Sequence, residues 1–303
     1  MGCPGVDIVL PTYRPRFFEQ ALRSALGQTY PNIQIYVSDN CPDDAIKQIC
    51  QRHASPNLHY KRSSDLRILN YEAAFRSGGN PVVKPLFDDD ILHPFCVERM
   101  MAKAGKHLME GKVGFVFSSS ELIDTRNRRY FLRRPLNTDR VIRTLDFMNL
   151  TIGKFENVVG EFSTVAFPRA RVSECANGQL FRWNQVDGYS ALPDIVFFLR
   201  VIQNFPAIYV DEVLSYFRLA PDHDSDSNQT LKKNILIHTH WFGLMEEAFR
   251  CKLPEFAPDS KKILGFVESI RRTFGDDPAV ALKCDSFSRN FYAQLLECSR
   301  ERP

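Results

Sequence analysis

One stretch limits what this chain can become. VVKPLFDDDILHPFCVERM, residues 82 to 100, drives an apolar run into three consecutive carboxylates, Asp88, Asp89 and Asp90. Such a run fits a buried strand, and acids at its end stand where open α/β sheets place their sites, beyond the carboxyl ends of strands. Three adjacent acids repel one another, so at least one pKa rises unless a divalent cation or a base sits among them. Hard oxygen donors of this kind suit Mg or Mn rather than a soft metal. An acidic turn capping the next helix explains the acids equally well, and only their position after an apolar run favours a site.

The chain before this stretch supplies the sheet. VDIVLP, residues 6 to 11, is nearly all apolar, as a buried parallel strand requires. Phe18, Ala21, Leu22, Ala25 and Leu26 then recur at helical spacing, which predicts a helix over 16 to 27 with Pro15 near its first turn. NIQIYVSDN gives a second strand ending at Asp39, and the right-handed strand-helix-strand unit brings Thr12, Tyr13 and Asp39 to one edge. A helix over 43 to 53, a strand NLHYKR and a helix from Ile68 to Ser77, closed by Gly78 and Gly79, complete four strands with intervening helices by residue 90.

Beyond the acids, the spacing predicts a helix over 93 to 109 and a strand over 112 to 124. Next, NRRYFLRRPLNTDRVIR carries Arg126, Arg128, Arg129, Arg133, Arg134, Arg140 and Arg143. It reads either as a solvated polar excursion or as a contact for an anionic acceptor or a lipid surface. A short helix over 144 to 150, a strand STVAFPR, a helix over 193 to 203 and a strand AIYVDEVLSYFRL follow. After the polar break at 221 to 229, helices are expected over 230 to 250, 259 to 274 and 285 to 299. The expected division is therefore an α/β domain over 1–221 and a helical C-terminal region over 222–303.

Several function classes drop out. Lys plus Arg number 39 against 36 Asp plus Glu, a net charge of +3, and no basic stripe is interleaved with stacking aromatics, so nucleic acid is not an expected partner. Neither G-x-G-x-x-G after the first strand nor G-x-x-x-x-G-K-[ST] occurs, which removes the dinucleotide and P-loop arguments. The eight Cys contain no C-x-x-C pair and suit reduced thiols. With no signal-like start and no run of 18 apolar residues, the expectation is a cytoplasmic protein, either free or peripheral on the inner face of the membrane.

Taken in order, VDIVLPTYRP, IQIYVSDNCPDD, the DDD run, GEFSTVAFPR and LPDIVFFLRVIQNFPAIYVDEVLSYFRL make residues 5 to 219 resemble the family 2 inverting glycosyltransferases. The resemblance implies a GT-A type, Rossmann-like fold, a mixed and mostly parallel sheet flanked by helices, with a helical C-terminal extension. It also implies a nucleotide-sugar donor, a UDP- or dTDP-sugar, and a Mn2+ or Mg2+ cofactor. The acceptor would be a saccharide or a lipid-linked saccharide of a cell-surface polysaccharide. By residue matching, Thr12, Tyr13, Asp39, Arg67, Asn70 and Asp88 hold the nucleotide, and Asp89, Asp90 and His223 the metal. Asp194 is the catalytic base with Asp187 its runner-up, and Glu161, Ser163 and Asp187 lie on the acceptor side. Phe87 replaces the first acid of the family's metal motif and Pro193 the acid before Asp194. These departures keep open a non-catalytic nucleotide-sugar or glycan-binding protein on the same fold; a sugar nucleotidyltransferase is the other alternative. Oligomeric state is not read from the chain.

Overall fold

A computed structural model describes residues 3–65, 67–219 and 231–300, the side chains of 231–234 and 298–300 aside. The strands are β1 Val6–Thr12, β2 Ile33–Asp39, β3 Leu58–Arg62, β4 Val82–Pro85, β5 Ile91–Leu92, β6 Phe115–Ile123, β7 Arg129–Arg133, β8 Arg140–Ile142, β9 Val165–Pro168, β10 Arg182–Trp183, β11 Val186–Asp187 and β12 Ala207–Arg218. The helices are α1 Pro15–Leu26, α2 Ala45–Arg52, α3 Ile68–Phe75, α4 Cys96–Met109, α5 Thr144–Leu150, α6 Ala170–Ser173, α7 Pro193–Ile202, α8 Leu231–Arg250, α9 Ser260–Phe274 and α10 Pro278–Arg300. The chain divides into two compact units, one of 1–143, 159–181 and 200–221, the other of 144–158, 182–199 and 222–303. The second unit thus takes in two segments that precede residue 221.

The first unit is built on a 10-stranded sheet in the order β3-β2-β1-β4-β9-β6-β12-β5, with β7 on β6 and β8 on β12. β1 is parallel to β2 and β4, β2 to β3, and β6 to β12, while β9 runs antiparallel between β4 and β6. This is the mixed, mostly parallel, helix-flanked α/β arrangement expected from the alternation of apolar runs. β1 is buried along its whole length because both of its faces are covered. Val6, Ile8 and Leu10 pack with Phe18, Leu22, Ile46 and Met100 of α1, α2 and α4. Phe75 of α3 meets Phe162, Phe167 and Phe181 in a separate aromatic cluster.

Alternation along β1 sends Asp7 away from the side of Ile8, into full burial. There Arg169 Nη2 donates to its Oδ2 at 2.6 Å, and the main-chain N–H and Nδ2 of Asn80 donate at 2.9 and 2.7 Å. The chain reaches Asn80 through Gly78, whose φ is +81. A Cβ at Gly78 would stand 2.2 Å from Asp7 Oδ2, so both backbone and neighbour demand glycine.

Two strands fall in the basic segment 126–143, where the sequence offered no apolar alternation. β7 and β8 each pair with one neighbour among the described residues and expose most of their side chains, so no buried face imprinted a period of two. α10 begins at Pro278, seven positions before the expected 285. Proline is tolerated at the first helical position, and Asp277 Oδ1 accepts the Ala279 N–H at 2.9 Å.

The second unit centres on Phe155, which packs against Trp241, Phe266 and Phe287, with Phe242 stacked on Phe287 at 4.2 Å between ring centroids. Much of the high phenylalanine content of the chain is thus core. The β10–β11 hairpin and the first turns of α7 belong to this unit. Asp259 caps α9, accepting the Lys262 N–H at 3.0 Å. Among the described residues no helix is long and apolar enough to cross a membrane.

Gly78→Ala is expected to lower the unfolding free energy by on the order of 2 kcal/mol or more. Gly79→Ala, with open space around it, should cost well under about 1 kcal/mol. Urea titration of the two variants beside the parent provides the check, and equal losses would refute the steric account.

Candidate active site

The carboxyl ends of β1, β2 and β4 meet at one edge of the first unit's sheet. Register pairs Thr12 with Asp39, the last residues of β1 and β2. After β4, Leu86 still donates to Val9 O, and the chain then folds back in a tight turn in which Asp90 N donates to Phe87 O. Asp88, Asp89 and Asp90 are all buried here.

Asp88 ties this turn to the loop after β1. Its Oδ2 accepts the main-chain N–H groups of Tyr13 and Arg14, each at 2.8 Å, with the Thr12 hydroxyl at 3.4 Å. Arg14 Nη2 then donates to Asp88 Oδ1 and to Asp89 Oδ2, both at 2.8 Å. Burial works against the Arg14 charge, but Asp88 and Asp89 hold its pKa above the ordinary value. Sequence reasoning missed Arg14. The available signal was a guanidinium fixed between Tyr13 and the helix-opening Pro15, on the loop that faces the acids.

A second arginine serves the back of the turn. Arg218, at the end of β12, is fully buried; its main-chain N–H donates to Asp90 Oδ1 at 3.1 Å and its Nε to Asp89 O at 2.9 Å. Its remaining nitrogens reach Asp124 O and Gln20 Oε1, and its plane lies over the Phe17 ring. Asp90 Oδ2 is buried without a hydrogen-bond partner among the described residues.

The charges remain strained. Burial, then the charge of Asp88, pushes Asp89 up to about 6, with Arg14 opposing. Burial together with Asp89 and Glu161 raises Asp90 well above the carboxylate range. Lys84 is fully buried in β4, and burial lowers it to about 8 against the pull of Cys96 and Asp90. Its Nζ donates to Pro85 O at 2.8 Å and Ser163 O at 2.6 Å, while Ser163 Oγ accepts the Phe87 N–H at 3.0 Å. Ser163, expected on the acceptor side, is therefore a buried support of the acidic turn. The Phe87 ring packs on Tyr71 and Phe162.

Asp39 is enclosed. Its Oδ1 accepts the Cys41 N–H at 2.7 Å and its Oδ2 the Tyr60 hydroxyl at 2.7 Å, with Arg62 Nη1 at 3.2 Å. Asn70 anchors α3 to the same edge: Nδ2 donates to Ser38 O and Asn40 Oδ1, and Oδ1 accepts from the Ser38 hydroxyl. Arg67 precedes α3 with a left-handed φ of 54 and an exposed side chain, and Tyr13 is exposed on its loop. Glu161 pairs with Arg133 at 2.6 Å.

Asp187 and Asp194 belong to the second unit. Asp187 closes β11 and accepts from Tyr189 N at 3.2 Å and the Ser190 hydroxyl at 3.0 Å. Asp194 lies in the first turn of α7, behind Pro193, and its Oδ2 accepts from Asn157 Nδ2 at 2.9 Å. His223 lies outside the described residues.

Among the described residues no three His, Cys, Asp or Glu side chains form a ready metal cage. The buried, unpartnered Asp90 Oδ2 beside Asp89 nevertheless fits a hard cation. The fitting mode is that of Mg2+, one or two carboxylates with water and phosphate oxygens completing the shell.

The sequence profile of Glycosyl transferase family 2 matches residues 7–162. An uncharacterized glycosyltransferase of Rickettsia typhi is 27% identical over 135 residues, 44% of this chain and 41% of that protein, so the match spans less than half of either. Among solved structures, S. aureus TarS 1-349 in complex with UDP is similar with a TM-score of 0.56 at 13% identity, covering 89% of this chain and 72% of that one. The mannosyltransferase PcManGT from Pyrobaculum calidifontis, in complex with GDP-Man and Mn2+, gives 0.52 at 16% identity, covering 97% and 76%. At these identities the structural likeness is one of fold.

Asp89 carries a testable cost. Because its folded pKa is about 6 against an ordinary 3.8, the folded state binds the proton more tightly. The contribution of this group is therefore fullest below about pH 4, is lost as pH rises toward about 6 and stays lost above. In metal-free buffer, Asp89→Asn is expected to flatten that decline and to gain on the order of 1–3 kcal/mol at neutral pH relative to the parent. Urea unfolding across this pH range reads it; parallel curves for the two proteins would contradict the assignment.

Proposed function

Because the chain belongs to glycosyl transferase family 2, we propose that it transfers a sugar from a nucleoside-diphosphate sugar to a hydroxyl of a glycan or lipid-linked saccharide, by an inverting, metal-dependent displacement. The observation that carries this reading is the convergence of Thr12, Asn70, Arg14 and the three acids at the carboxyl ends of the parallel strands β1, β2 and β4. Such strand ends are where ligands of open α/β sheets bind.

The nucleotide is read against the loop after β1, where Tyr13 is free to flank a pyrimidine ring, so a uridine or thymidine donor is favoured. Asp39 orders this side by fixing the turn at Cys41 and the middle of β3 through Tyr60. Asp89 and Asp90 would hold Mn2+ or Mg2+. Such an ion, when bound, supplies Lewis-acid stabilisation of the leaving diphosphate. Asp88, its lone pairs engaged by Tyr13 and Arg14, keeps the acidic turn in place. Asp194 is assigned as the general base. Its carboxylate is oriented by Asn157, and a positioned carboxylate taking the acceptor proton contributes about 10² to 10⁴ in rate.

UDP is expected to bind at least about 10-fold more tightly with Mn2+ than in EDTA, and Asp89→Ala to abolish the difference. Calorimetric titration decides, and equal affinities in the parent would remove the metal from the reading. Asp194→Asn should lower turnover at least about 10² while UDP affinity and thermal stability change little. Initial rates over a panel of nucleotide sugars test this, and near-native turnover would move the role to Asp187.

A further inference from the structure

β7 is an edge strand that does not hide its apolar side chains. Tyr130, Phe131 and Leu132, at its centre, are 55, 57 and 48% exposed, and as consecutive strand residues they point to both sides. The Tyr130 hydroxyl reaches Leu219 O at 3.3 Å, adding another exposed apolar residue. Solvating exposed apolar side chains on both sides of a strand is unfavourable, and an edge strand invites pairing, so an apolar edge of this kind signals a partner.

The charges around it say which partner. Arg128 and Arg129 are each paired, with Asp124 and Glu121, but the guanidinium side chains are 73 and 61% exposed whereas both acids are at 22%. The acids stand behind and the cations in front, and Arg126 adds a further exposed cation. Solvent therefore meets aromatic and aliphatic side chains bordered by guanidinium groups. We propose that the β7 ridge docks on an anionic phospholipid bilayer, its aromatics entering the headgroup region and Arg126, Arg128 and Arg129 meeting lipid phosphates. The ridge also adjoins the acidic turn, because Arg218, the last residue of β12 and bonded to Asp89 and Asp90, is followed directly by Leu219, whose carbonyl accepts from Tyr130. Binding at the ridge would set that edge of the first unit beside the bilayer. The proposal concerns adsorption and stands whether or not the transfer reaction assigned above is correct.

The test is co-sedimentation of the full chain with vesicles of phosphatidylcholine alone and of phosphatidylcholine mixed with phosphatidylglycerol. The parent should partition onto the mixed vesicles at least about 10-fold more strongly, and added salt should weaken it. Tyr130→Ser combined with Phe131→Ser should remove most of the binding, and Arg126→Glu should weaken it; both sites are exposed, so parental thermal stability is expected. Equal partitioning onto the two vesicle types, or undiminished binding by the double variant, overturns the proposal. So does a concentration-dependent dimer of the parent that the double variant abolishes, since a second copy would then own the ridge.

Discussion

The geometry of the candidate site depends on one carboxylate. Asp88 accepts two successive main-chain N–H groups from the loop after β1, and so fastens the turn after β4 to a neighbouring strand end. Without that clamp the adjacent acids would separate, because each is desolvated beside a like charge. Arg14 completes it by lying between Asp88 and Asp89, and Arg218 closes the rear through Asp90 and the main chain of Asp89. Removing Asp88 from this network would cost more than its interactions contribute net, since two main-chain N–H groups and one side of Arg14 would be left without their acceptor. The turn is therefore held from three elements, β1, β4 and β12, whose relative positions the sheet already fixes.

That arrangement stabilises the acids only in part. Asp89 and Asp90 remain raised, and Lys84, the buried cation beneath them, is itself lowered. A chain selected for stability alone would fill these positions with apolar side chains. Retention of acids at such cost fits a place where charge is needed for binding, and it matches the family to which the chain belongs.

Sequence reasoning reached the parts whose signals are local. The apolar run 6–11, the helical spacing of Phe18, Leu22 and Ala25, and the position of the acids after β4 all derive from burial that repeats within a few residues, and all reappear in the fold. What it missed is carried by long-range pairing. Arg14 meets Asp88 across 74 positions and Arg218 meets Asp90 across 128, so neither partner marks the other in the chain. β7 escaped for the opposite reason: its side chains face solvent, and a strand without a buried face leaves no period to read. Ser163 drew notice for the acceptor side; its hydroxyl accepts the Phe87 N–H and its carbonyl accepts from Lys84, contacts visible only after β9 is placed beside β4.

The second unit is assembled from three separate lengths of chain, 144–158, 182–199 and 222–303. During synthesis its earliest length emerges long before its last. Phe155 must wait for Trp241, Phe266 and Phe287, which arrive more than 80 residues later, while the first unit can close once residue 221 is made. A nascent chain stopped near that residue would hold a finished sheet with Phe155 still lacking the helical half of its core. Such exposed aromatics are what chaperones engage, so the fold builds into its own order of synthesis an interval of vulnerability that ends only with the final helix.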